Sequence, residues 1–194
     1  MLTVILLLFP LVSAVVLSLL RGSTVKRVAL FISLGQFLYS VYLYSVFCNT
    51  CPASKELTYF SVDWILALKS TFTVGLDGIS IWLVMLTTFL TPIIILSSFK
   101  HNYEKPNYLY SLVFLMQLGM LGVFVAYDCF LFYVFWELAL IPIYFISAIY
   151  GGAERIKVTL KFFVYTLFGS LLMLVAVIFL YTKSNAESVF LHSA

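Results

Sequence analysis

Apolar residues in this chain come in runs of about twenty, broken by short clusters of Lys, Arg, Asp, Asn and Gly. A helix needs about 20 such residues to cross the hydrocarbon layer of a bilayer. The pattern predicts six spans, at about 2–20, 28–47, 74–99, 107–126, 129–150 and 158–182, followed by a polar tail at 183–194. The fourth and fifth spans come from one apolar stretch, which as a single helix would extend roughly 66 Å, twice the hydrocarbon thickness. It has to fold back, and Tyr127-Asp128-Cys129 is the polar break that allows it. The segment 48–73 is a longer loop. Its apolar stretch from Leu57 to Leu68 is too short to span and is expected at the interface, as a short helix or a hairpin, with Tyr59 and Trp64 in the headgroup zone.

Composition strengthens this picture. The chain is 63% hydrophobic and only 10% charged, where a soluble domain of this size carries about 25% charge. The fold class is therefore all-α, a polytopic membrane protein. The net charge of +3 is spread over loops, which excludes a basic nucleic-acid patch and carries topology instead. Arg21, Lys26, Arg27, Lys100, Lys105, Arg155 and Lys157 fall in alternate loops on one side, with Lys161 just beyond, while Lys55, Lys69 and Lys183 fall on the other. The positive-inside rule then places both termini outside. Met1 to Leu8 opens directly on a span, with no basic leader, as expected of a protein inserted where it is made, in a bacterial membrane or in an organelle that encodes it.

One residue breaks the pattern. Between Asp128 and Glu154 the only acid is Glu137, in the middle of the apolar run from Phe130 to Phe145. If the helix starts near Cys129, Glu137 lies about eight residues in, or roughly 12 Å along the axis. That is close to the midplane and too deep for a short side chain to reach water. An acid there costs about 2.5–3.5 kcal/mol on insertion scales, and is tolerated where it faces a protein interior, a water path or a cation. A proton relay requires such a group. The plain alternative is an acid that only pins helices together.

Other candidates group around it. Pro142 frees the carbonyl of Leu138 beside Glu137 and marks a kink. Tyr133 and Tyr144 share the Glu137 face at i−4 and i+7, where a proton path and aromatic packing account for them equally. Lys161 sits three residues into the sixth span, where its stem reaches the interface by snorkelling. Its height differs from that of Glu137 by roughly 9 Å, so a direct pair is not expected. Asp77, between Gly75 and Gly78, suits a helix N-terminus, and Pro92 among Thr87, Thr88 and Thr91 suits a kink compensated by hydroxyls. Gln117 reads as an interhelix hydrogen bond. Cys48 and Cys51 form a C-x-x-C without a second pair or a nearby His, so they make no zinc site, and with Cys129 they are too few for an iron–sulfur cluster. No glycine-rich nucleotide loop is present.

Three segments together are specific. Val74-Gly-Leu-Asp77-Gly-Ile-Ser80, Asp128 to Phe145 around Trp136-Glu137 and Pro142, and Thr159-Leu-Lys161 to Gly169-Ser170 resemble, in order and spacing, the chain 4 family of proton-pumping NADH:ubiquinone oxidoreductase, respiratory complex I. The resemblance implies an antiporter-like membrane subunit of about fourteen helices built on two inverted five-helix repeats. It implies that Glu137 works with a lysine on a later, broken helix, and that FMN, Fe–S clusters and ubiquinone sit on other subunits, with no cofactor and no metal here. The chain would then belong to an NADH:ubiquinone reductase without doing redox catalysis itself. Six helices make only the first part of such a subunit, so either the subunit is split or the chain is a truncation of a longer one, and the polar tail from Lys183 favours a split subunit. A companion polypeptide would carry the remaining helices, beside other membrane subunits of complex I in the mitochondrial inner membrane, with both termini facing the intermembrane space. The rival readings are a subunit of a multisubunit Na⁺/H⁺ antiporter or of a plastid complex I relative, and a structural or assembly module without a transport role.

Overall fold

The computed structural model describes residues 1–20, 24–49, 59–65, 70–101 and 103–183. The C-terminal tail from 184 and Cys51 of the C-x-x-C lie outside the described residues. Among the described residues, six helices are long and apolar enough to cross a membrane. They are α1 (Leu2–Leu19), α2 (Thr24–Asn49), α3 (Ser80–Ser97), α4 (Pro106–Val125), α5 (Cys129–Tyr150) and α6 (Arg155–Lys183). A short 3₁₀ turn, Ser98–Lys100, extends α3.

The helices are apolar on nearly all sides, as expected where one face meets lipid and the other meets protein. What packs them is small residues. Helix α4 is the most buried: Leu109, Tyr110, Val113, Phe114, Gln117, Leu118, Leu121 and Val125 all lie inside. It packs against α1, α3 and α5. The α4–α5 seam is close because Gly119 faces Ala139 and Gly122 faces the ring of Phe135. A Cβ at Gly119 would stand 2.7 Å from that of Ala139, so glycine alone allows this approach. Helix α6 packs chiefly on α5 and leaves most of its apolar surface open.

Two apolar clusters make the core. Leu6, Leu7, Leu43, Ile81, Val84, Leu118, Leu121, Leu131 and Phe135 form one. Ala14, Leu17, Val25, Ala29, Ile95, Tyr110 and Phe114 form the other.

The expected third span differs from the structure at its start. Val74 to Ile79 are not helical. Val74 instead ends a hairpin of β1 (Phe60–Ile65) and β2 (Ser70–Val74), antiparallel, with Phe60 opposite Val74 and a bulge between Asp63 and Ile65. The hairpin docks on the α4–α5 turn: Val74 bridges to Ala126, Gly75 N–H donates to the Val125 carbonyl at 2.9 Å, and Tyr127 N–H donates to the Thr73 carbonyl at 3.0 Å. Backbone pairing outcompetes one more helical turn here because Gly75 and Gly78 disfavour helix and because the turn offers free backbone groups. The chain is thus mostly helical with one small sheet, and the interfacial loop resolves as a hairpin. The Trp64 ring packs against Phe72 and Phe130, and Tyr59 against Tyr127.

Asp77 closes the remaining turn. Its Oδ1 accepts from the N–H of Ile79 (2.9 Å) and of Ser80 (2.6 Å), while Ser80 Oγ accepts from Asp77 N–H at 2.8 Å. This is a reciprocal cap at the start of α3. Pro92 is buried in α3. The hydroxyls around it bond carbonyls of the preceding turns, Thr87 to Leu83, Thr88 to Val84 and Met85, Thr91 to Thr87. None of these three reaches the Thr88 carbonyl that the proline leaves without an N–H.

Candidate functional site

Asp128 decides where α5 begins. It is 2% exposed, and its Oδ1 accepts from the N–H of Phe130 (2.7 Å) and of Leu131 (3.2 Å). An Asp just before an apolar run is a helix-start signal, so the polar break between the fourth and fifth spans is also a cap. The cap places Glu137 eight residues past Cys129, about 12 Å along the axis. Beside the cap, Tyr127 lies outside the spans, and burial pushes its phenol above the ordinary value, with the Asp77 charge and Tyr59 adding to the effect.

The seam then sets the direction of Glu137. Phe135 and Ala139 face α4. Glu137 lies between them in sequence, and a rotation of about 100° per residue turns it to the opposite side of α5. That side meets α6. The rings of Tyr144 and Phe163 stand 5.2 Å apart, which fixes the register of the antiparallel pair. Seven residues up α5 and seven along α6, Glu137 and Ser170 come level. Ser170 is 5% exposed, on a helix otherwise largely open. The Tyr133 phenol is near enough to the Glu137 carboxyl and to Ser170 for their charge and polarity to act on it, while the Ser170 hydroxyl itself donates to the Leu167 carbonyl at 2.9 Å. Glu137 Oε1 is buried and carries no hydrogen bond among the described residues.

The site is therefore a carboxyl, a phenol and a hydroxyl at mid-height between α5 and α6, with one carboxyl oxygen uncommitted. Such a chain of exchangeable groups can take up and pass on a proton. Ser170 was not singled out in the sequence; a small polar residue in the middle of an apolar helix was the available signal.

The other predicted residues lie elsewhere. Lys161 is exposed and nine residues from Ser170 along α6, about 13 Å by helix rise, so it is not placed beside Glu137. Tyr144 packs against Phe163 and Phe145. Pro142 is buried within α5. Pro92 and Asp77 belong to α3 and its cap. Gln117, expected to bond a neighbouring helix, has no partner on either amide atom among the described residues. Among the described residues no group of three His, Cys, Asp or Glu side chains could hold a metal ion.

Comparison with known proteins places this arrangement. Residues 126–192, which contain the whole site, match the family described as NADH:quinone oxidoreductase/Mrp antiporter, transmembrane. The chain is 40% identical over 158 residues to F(420)H(2) dehydrogenase subunit M of Methanosarcina mazei, covering 81% of this chain and 32% of that one. It is 39% identical over 183 residues to NADH-ubiquinone oxidoreductase chain 4 of Mycosarcoma maydis, covering 91% of this chain and 37% of the relative. In three dimensions it matches a chain of respiratory complex I from Thermus thermophilus with a TM-score of 0.81 and 27% identity, over 98% of this chain and 37% of that chain. The chain thus spans about a third of the length of the curated relatives it matches. With sequence, fold and the site's segment all pointing one way, the chain belongs to the antiporter-like membrane subunits of the NADH:quinone oxidoreductase/Mrp antiporter family.

Proposed function

We propose that this chain is the first part of a chain 4-type subunit of a proton-translocating NADH:ubiquinone oxidoreductase, and that Glu137 takes part in its transmembrane proton path. The observation that carries the reading is the buried, uncommitted Oε1 of Glu137 beside Tyr133 and Ser170. A carboxyl at that depth is expensive. A group kept there with a free oxygen is better suited to exchanging a proton than to locking a helix pair. The open face of α6 supports further helices closing the site, with a cation from those helices serving Glu137 where Lys161 does not. Redox groups, FMN, Fe–S clusters and ubiquinone, would be bound by other subunits. The proposed setting is the mitochondrial inner membrane with both termini toward the intermembrane space, from the cation asymmetry; relatives in bacterial complexes make a bacterial membrane the alternative.

The test is Glu137→Gln in the intact complex. Assembly and NADH oxidation are expected to persist while proton pumping per electron falls severalfold. Normal pumping in that variant would sink the reading, and loss of assembly alone would favour a purely structural role. A second reading, a subunit of a cation/proton antiporter complex, is kept because the matched family covers the Mrp antiporters as well. Flavin and iron–sulfur absorbance in the purified complex separates the two.

A further inference from the structure

Of the buried side-chain polar atoms that carry no hydrogen bond among the described residues, all but Glu137 Oε1 belong to two glutamines, Gln36 on α2 and Gln117 on α4. Both side chains are buried, 0% and 2% exposed. Inter-helix contacts show that they stand at one height. Ser111 Oγ donates to the Ala14 carbonyl and Asn107 Nδ2 to the Ser18 carbonyl, and following this antiparallel pair upward brings Gln117 level with Leu8. Tyr39 donates to the Leu2 carbonyl and Phe9 lies beside Gly35, which brings Gln36 level with residues 5–8. The Ser40–Thr88 and Ser98–Tyr110 hydroxyl pairs bring α3 to the same level at residues 90–92.

This level separates the two apolar clusters. Gln36 falls between Ala29 and Leu43, Gln117 between Phe114 and Leu118, and Thr91 between Val84 and Ile95. It also gathers backbone acceptors. Pro10 and Pro92, both buried, have no N–H to donate to the carbonyls of Leu6 and Thr88. The nearby hydroxyls of Ser33, Thr87 and Thr91 are already donated within their own helices.

Two amides, each with donors and an acceptor, cannot be completed by a cation, which would serve the oxygens and leave the N–H groups bare. Water donates and accepts, and buried water with two to four polar partners is an ordinary part of folded proteins. We propose that Gln36 and Gln117 hold a closed cluster of ordered water among α1–α4, separate from the Glu137 site. The α4–α5 seam lies between the two: Gly119 against Ala139 and Gly122 against Phe135 leave no room for a water file. Glu137 faces the other side of that seam. The cluster is therefore a fixed structural element of this half of the bundle and not a branch of the proton path.

A cryo-electron microscopy map of the intact membrane complex, at a resolution that shows water, tests this directly. Density peaks are expected within hydrogen-bond distance of both amides. The proposal is overturned if Gln36 and Gln117 bond each other or backbone with no peak, or if the peak is ligated by oxygens alone and disappears when sodium is replaced. In the second arm, Gln36→Met with Gln117→Met keeps side-chain shape and removes the polar atoms. The assembled variant complex is expected to lose the peak and to keep wild-type coupled pumping. Loss of pumping in an assembled variant would show that this water is connected to the proton path, against the closed cluster.

Discussion

Glu137 gains its meaning from two residues four and thirty-three positions away. Tyr133 shares its helix face, which the spacing already places there. Ser170 arrives from α6 through the register set by Tyr144 and Phe163. The three groups act together in the proposed relay, so replacing Tyr133 by Phe should lower pumping less than Glu137→Gln does, since a phenol can be bypassed by water and a carboxyl cannot. Proton flux measured in proteoliposomes, with NADH oxidation alongside, orders the two variants. A second residue-scale expectation concerns Asp128. Replacing it by Ala removes the acceptor for two α5 N–H groups and should cost about 0.5–2 kcal/mol. Thermal unfolding of the complex in nanodiscs, compared with wild type, reads that loss.

Helices in this chain are held by close approach as much as by apolar area, since lipid is as apolar as a leucine side chain. The α4–α5 seam is the clearest case. Gly122→Ala puts a methyl against the Phe135 ring and should cost about 1–3 kcal/mol through overpacking. Combining it with Phe135→Ala should restore part of that loss, because the two sites touch and their effects are coupled. Failure of the pair to differ from the sum of the singles would mean that the seam is looser than the structure shows. The same seam turns Glu137 away from α4, so an element-level defect there is expected to disturb the site as well. Helix α3 behaves differently. Its serine and threonine hydroxyls satisfy carbonyls one turn back, and one of them, Thr88, also meets Ser40 of α2 across 2.8 Å.

Across the whole molecule, the cationic loops gather at one end. Lys26 Nζ donates to the carbonyls of Phe99 and His101, and the Tyr150 hydroxyl donates to the Lys105 carbonyl, so the first turn of α2 and the last residue of α5 both meet the connection between α3 and α4. The hairpin and the Asp77 cap lie at the opposite end, against the α4–α5 turn. A single Cys placed at His101 or at Gly152 should therefore react with an impermeant maleimide from one side of the membrane only, and one at Tyr59 from the other. Labelling of His101→Cys and Tyr59→Cys from the same side would overturn this orientation.

Run length and the positions of polar breaks determined, without any structure, that six helices cross a membrane and where most of them turn, because lipid requires about twenty apolar residues per crossing and permits no exposed backbone between them. They also singled out Glu137, since the cost of an acid at that depth depends on its neighbours in sequence alone. Three things needed the fold. The start of α3 moved to Ser80 because Val74 and Gly75 pair with a turn fifty residues away. The partners of Glu137 depended on which side of α5 faces α4, a rotation set by two glycines and not by hydrophobic pattern. The shared height of Gln36 and Gln117 arose from helix offsets, which loop residues and side-chain contacts fix together. Local pattern decides what each segment is; the direction a polar side chain faces inside a bundle is decided only when helices of nearly uniform surface choose their contacts.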